Sequence, residues 1–434
     1  MGCRPTPHTR YAVRSPERAA YRVRTGDPLT RSHPYRGLVT STRVVALDGL
    51  RGLAILLVVI AHAAPATLPQ LGPLGVIVFF VLSGYLITSI LMAEHDATGS
   101  IDVRRFFRKR AARLIPAMLV VVLAYLLTLL IWARQTEFYR GLVGAALGVT
   151  YLMDVAMSSR PDIPLALTPL WSLAVEEHFY LAWPVVIAVV LSRADESRLR
   201  VLVRMIVGLS FPCLIMMAAL QAHTTIDLYF LPTTWIGSLA VGAQVALWAR
   251  TFADATLKKS VPRLVGTGFW TSLLVAFVVV VMTTLLARRG LLQASVTAGL
   301  VGLLLCRLIR IPNTWLARLL EWTPIVALGR VSYSVYLLNL PLMELVRAVG
   351  IPFPRLVGGV VSFPLAWLLW RVVERPALRR WSPAPSLSAR PGSPALPLTL
   401  ARVVANERTT GAPDSPPRVD DGGASCVTHL KRWV

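Results

Sequence analysis

Leu47-Asp48-Gly49-Leu50-Arg51-Gly52-Leu53-Ala54, followed by an apolar run as far as Ala61-His62-Ala63, is the stretch from which the rest of the chain can be read. It has the roughly 20 residues a helix needs to cross hydrocarbon at about 1.5 Å per residue. It nevertheless holds Asp48, Arg51 and His62. An ionised side chain near the centre of such a helix costs about 2.5–3.5 kcal/mol on insertion. Polar groups kept at that cost need a partner or a task.

Working outward, apolar blocks of similar length recur. They fall at about 44–64, 73–93, 113–133, 171–192, 205–221, 230–249, 268–287, 291–308, 325–346 and 356–373. The expected fold is therefore all-α, a polytopic membrane protein of about ten transmembrane helices. A further stretch at 141–157 is short and ends in polar residues, so a re-entrant or interfacial segment is expected there. The chain has 434 residues, 55% of them hydrophobic and 15% charged, too apolar for an ordinary soluble domain. Its net charge of +23 sits in the tails and at the edges of apolar blocks, as positive-inside loops do, which argues against nucleic acid as a partner. Residues 1–43 carry nine arginines without an apolar period, and 381–434 are rich in Pro, Ser, Arg and Ala. Both read as disordered cytoplasmic tails around a membrane domain at 44–380 in the cell membrane. Cys3, Cys213, Cys306 and Cys426 have no close spacing, so neither a metal site nor a disulfide framework is expected.

Arg51 and His62 are eleven residues apart, three helical turns plus roughly 20°, so they share a face about 16 Å apart along the axis. Two roles are open to that face. One is a buried Asp–Arg pair that fixes packing beside a satisfied histidine. The other is a site in which the guanidinium receives a phosphate and the imidazole takes a proton from a hydroxyl. Arg110 and Arg113 are i,i+3 neighbours that can grip one anion, or simply mark a positive-inside helix start. Glu176 and Glu177 open the fourth span, where a helix dipole or a substrate could favour them. Tyr333, Tyr336 and Asn339 in the ninth span can line a polar cavity or serve packing. Glu374 beside Arg375 reads as a local ion pair closing the last span.

Taken in order, LDGLRGLAILLVVIAHA (47–63), GVIVFFVLSGYLITSIL (75–91), RKRAARLIPA (108–117), LWSLAVEEHFYLAWP (170–184), GRVSYSVYLLN (329–339) and VERP (373–376) resemble the acyltransferase-3 family of membrane O-acyltransferases. The resemblance covers about 40–380. It implies an acyltransferase that moves an acyl group, acetyl above all, from acyl-coenzyme A to a hydroxyl of a sugar, envelope glycan, lipid or secondary metabolite. Acyl-coenzyme A is then a donor substrate, and no cofactor or metal is bound. By the same resemblance His62 and Arg51 form the catalytic pair, and Arg110 and Arg113 meet the donor or the cytoplasmic face. Asp48, Glu176, Glu177, Tyr333 and Asn339 complete the expected substrate-binding set. Two positions depart from the family pattern: Ile77 stands where relatives carry aspartate, and Asn339 where they carry histidine. A flippase for a lipid-linked sugar and a catalytically silent assembly partner are the other classes open to the residues themselves.

Overall fold

The computed structural model describes residues 41–159, 162–193, 195–220, 227–251, 291–311 and 314–381. Three long helices come first: α1 (Ser41–Ala63), α2 (Leu71–Thr98) and α3 (Val103–Trp132). Gly99 at φ 72° closes α2, its N–H donating to the His95 carbonyl at 2.7 Å. Asp102 caps α3 by accepting the Arg105 N–H at 2.9 Å. The chain continues as α4 (Gln135–Val149), α5 (Met153–Ser158), α6 (Leu170–Arg193), α7 (Glu196–Leu220), α8 (Pro232–Thr251) and α9 (Leu291–Arg310). It ends in α10 (Trp315–Leu320), α11 (Thr323–Arg330), α12 (Ser332–Ala348), α13 (Pro354–Leu369), a π-helical turn at Trp370–Glu374, and α14 (Arg375–Trp381).

Among the described residues five segments are long and apolar enough to cross a membrane: Val45–Ala63, Leu71–Thr98, Val103–Trp132, Leu165–Arg193 and Pro354–Arg380. α11 and α12, bent by 74° at their junction, make a sixth if taken together. Helices α7, α8 and α9 coincide with the blocks at 205–221, 230–249 and 291–308 but are not in that set. The block at 268–287 lies outside the described residues, as do residues 1–40 and 382–434. The stretch at 141–157 is broken into α4 and α5, with Tyr151 between them at φ 56°.

α1 is the centre of the packing. It lies against α2 on one side and against α11 and α12 on another. Lipid tails supply no hydrophobic drive between helices, so close backbone approach carries the association. Gly52 meets the Ile325 carbonyl, Gly49 the Leu320 carbonyl, and Gly329 the Asp48 carbonyl. A methyl group on any of the three would overlap backbone. α2 and α8 repeat the device, with Gly84 against the Leu239 carbonyl and Gly242 against the Val81 carbonyl. The outward faces are apolar, as lipid requires: Leu130, Ile131 and Trp132 of α3 are 65%, 67% and 68% exposed.

Candidate active site

A cavity enclosing about 770 Å³ of space between atoms, its mouth included, opens where α1, α2, α3, α6 and α12 converge. Its charged lining is Arg51 from α1, Arg110 and Arg113 from α3, and Glu176 from α6. α12 begins at its wall, so Ser332, Tyr333 and Tyr336 face in from the first turns beyond the 74° bend. The amino end of α12, the positive end of its dipole, thus lies in the wall of the cavity that the three guanidinium groups line. Such an arrangement suits an anion.

Arg110 is held on three sides. Its Nε donates to Glu177 Oε1 at 2.8 Å, its Nη2 lies 3.8 Å from Glu176 Oε2, and its guanidinium carbon sits 3.0 Å from the Tyr180 ring centre. Ser83 Oγ donates to Glu176 Oε1 at 3.1 Å, and Tyr180 Oη to Oε2 at 3.0 Å. Glu176 and Glu177 stand six and seven residues beyond the first residue of α6, past the turn where a helix dipole acts. Arg110 and its neighbours, not the dipole, hold these carboxylates. The i,i+3 pair also divides its work. Arg110 is committed to carboxylates, and Arg113 shares the cavity with Arg51.

Glu374 is the counter-charge for Arg51 and Arg113, both of which lie within its electrostatic reach. It is only 3% exposed and accepts a short hydrogen bond from Ser334 Oγ. The π-helical turn inserts an extra residue into the helix and swings Glu374 inward. Arg375 lies instead over the Trp370 ring, with its carbon 5.6 Å from the ring centre. The local Glu374–Arg375 pair expected from sequence spacing is thereby replaced by a long-range contact.

In the cavity wall, Tyr336 Oη and Ser172 Oγ are 2.5 Å apart, and Tyr336 Oη also donates to the Pro169 carbonyl at 2.9 Å. Tyr333 Oη donates to the Leu114 carbonyl at 2.8 Å, tying α12 to α3. One turn beyond Tyr336, Asn339 is fully buried and its Oδ1 lies 2.6 Å from His62 Nδ1. His62 is half-buried near the end of α1, and the cavity that receives Arg51 does not extend to it. Arg51 therefore lines the cavity and His62 does not, although both are on α1; Tyr336 lines it one turn before Asn339, which contacts His62. Asp48 lies outside the cavity, within electrostatic reach of Arg51, Arg330 and Arg113. Glu177 and Asn339 likewise act behind the lining.

Sequence reasoning passed over Ser83, Tyr180, Ser172 and the inward turn of Glu374. Tyr180 carried a usable signal, lying four residues after Glu176 on one helical face. Away from the cavity, Asp154 on α5 is wholly buried, with Oδ2 3.0 Å from His178 Nδ1. Burial pushes the Asp154 carboxyl above the usual aspartate range, and His178 pulls it part of the way back.

Fold and site together define an all-helical, multi-pass membrane protein with a cationic cavity between its helices and a histidine reached through Asn339, one turn beyond the lining residue Tyr336. The acyltransferase domain model of the acyltransferase-3 family matches residues 44–371, and the chain belongs to that family of acyltransferases. It is similar to the peptidoglycan O-acetyltransferase OatA of Listeria monocytogenes, 28% identical over 353 residues, covering 77% of this chain and 55% of that protein. It is also similar to the O-acetyltransferase OatA of Staphylococcus aureus, 27% identical over 352 residues, covering 77% of this chain and 57% of that one. The chain spans about half the length of the curated relatives it matches. No solved structure matches it.

Proposed function

We propose that the chain transfers an acetyl group from acetyl-coenzyme A to a hydroxyl of a cell-envelope sugar, and that His62 is its general base. Peptidoglycan, for which the Listeria monocytogenes relative is named, is the first acceptor to try. The observation that carries this reading is the placement of Arg51 and Arg113 in one cavity, with the Tyr336–Asn339 stretch leading from it to His62. Coenzyme A carries phosphates at one end and its thioester at the end of a long pantetheine arm. The roughly 16 Å between Arg51 and His62 along α1 suits that separation.

In the step proposed, His62 takes the acceptor hydroxyl proton as the oxygen attacks the thioester carbonyl carbon. The C–S bond then breaks, and the departing sulfur takes the proton back from His62. The products are the O-acetyl ester and free coenzyme A. A positioned base of this kind contributes about 10²–10⁴-fold in rate. Arg51 and Arg113 hold the donor phosphates, Arg110 shapes the wall, and Glu176, Tyr333 and Tyr336 flank the arm. Around this unit, at 44–380, the proposed topology has ten spans in the cell membrane and both tails, 1–43 and 381–434, in the cytoplasm.

The test uses the full chain in lipid nanodiscs with radiolabelled acetyl-coenzyme A and peptidoglycan fragments. Label should pass to the glycan, and His62→Ala should lower the rate at least about 10²-fold with the protein still monodisperse. Undiminished transfer by His62→Ala removes the mechanism.

A further inference from the structure

We infer that Asn339 is a positioning residue that locks His62 into the tautomer with its proton on Nδ1, leaving the Nε2 lone pair as the base. The inference deepens the acetyl-transfer reading and rests on it for its meaning in catalysis. The tautomer itself can be measured without any substrate.

The argument starts from the amide. Asn339 Nδ2 lies 3.0 Å from the Val335 carbonyl oxygen and 2.7 Å from the Tyr336 carbonyl oxygen. Both neighbours are acceptors, so the atom facing them must be the amide NH₂, which supplies two protons. Turning the amide over would set its oxygen against two carbonyl oxygens in a fully buried position, at the full cost of unsatisfied polar groups. The orientation follows from the backbone of α12 alone. It leaves Oδ1 pointing at His62 Nδ1, 2.6 Å away.

An amide oxygen can only accept, so His62 Nδ1 must donate. In a neutral imidazole one nitrogen carries the proton and the other the basic pair, and the bond made by the first sets the role of the second. Nε2 is then the acceptor. Arg355, whose Nη1 donates to the His62 carbonyl at 3.2 Å, ties the end of α1 to α13 and so fixes the backbone from which the ring projects. A histidine at 339 could either donate or accept toward Nδ1 and would leave the tautomer open. Asparagine, anchored by its own helix, closes it.

The experiment is nitrogen NMR on the full chain in nanodiscs, with ¹⁵N-histidine labelling at about pH 8, above the ordinary histidine value of about 6.5. The sequence has seven histidines, and the His62 signals are those that vanish in His62→Gln. The parent protein should show a protonated Nδ1 and a bare Nε2. Asn339→Leu should move the ring toward the Nε2–H form, whereas Asn339→Asp, which keeps an acceptor, should retain Nδ1–H. Acetyl transfer should follow in the order Asn, Asp, Leu, with Leu down about 10²-fold. A purely packing role predicts Leu above Asp, with the parent still first, since leucine is an apolar near-isostere and aspartate buries a charge. A parent His62 in the Nε2–H form overturns the assignment, as does an unchanged tautomer in Asn339→Leu. Correct tautomers in a parent protein that transfers no acetyl group would sink the acetyl-transfer reading and not this one.

Discussion

Replacing Arg110 with alanine should be among the most damaging single changes to the cavity wall, and Glu177→Gln should relieve part of that damage. At 2.8 Å and an effective dielectric of 20, the Arg110–Glu177 attraction is about 6 kcal/mol before desolvation is subtracted. The two side chains are only 11% and 15% exposed, so solvent screening is weak. Removing one partner of such a pair costs about 3–5 kcal/mol, because the other charge is left buried and uncompensated. Here Arg110→Ala strands Glu176 as well, and uncovers the Tyr180 ring. A fall in melting temperature of roughly 5–10 °C follows. Glu177→Gln in the Arg110→Ala background removes one stranded charge and should restore about 1.5–3 kcal/mol as coupling energy. The assay is a thermal melt of parent, both single variants and the double variant in nanodiscs, followed by intrinsic tryptophan fluorescence. The reasoning is refuted if Arg110→Ala melts at the same temperature whether residue 177 is Glu or Gln.

Two other outcomes follow from the same geometry. Gly329→Ala drives a methyl group into the Asp48 carbonyl and should destabilise the α1–α11 contact by about 1–3 kcal/mol. In Gly299→Ala, where nothing lies within 4 Å, the same change should be neutral or stabilising by up to about 1 kcal/mol; equal melting shifts in the two variants would contradict the packing argument. The raised Asp154 carboxyl means the folded protein holds that proton more tightly than the unfolded chain does. Its contribution to stability should therefore fall as pH rises from about 3.9, the ordinary aspartate value, to the raised folded value, and level off above it. The melting-temperature difference between parent and Asp154→Asn should track that fall, and a difference flat across the window would rule it out.

Much of the site was visible in the chain as written, because charge inside hydrocarbon is expensive and stands out against an apolar background. Arg51 and His62 could be singled out on that ground, Arg110 and Arg113 by their i,i+3 spacing at a span's edge, and Glu176–Glu177 as adjacent carboxylates at a span's start. Apolar length likewise marked the five described spans and the bent pair. What spacing could not supply was the choice of partner. Glu374 stands next to Arg375 in the chain, yet a π-helical turn sends it to Ser334 and the two cavity arginines. Gly49, Gly52 and Gly329 read as ordinary motif glycines until backbone was found pressed against each of them.

The division between sequence and tertiary structure has one physical cause. Helix formation and membrane insertion depend on what each segment is made of, so composition and period determined the all-helical, membrane-embedded class and the short list of ionisable residues within it. Hydrogen-bond partners depend on which segments meet. His62 and Asn339 are 277 residues apart, and no local pattern states that one accepts from the other. The packing of α12 against α1 brought the amide to the imidazole, α3 carried Arg113 to the cavity that Arg51 lines, and the π-helical turn sent Glu374 inward toward both.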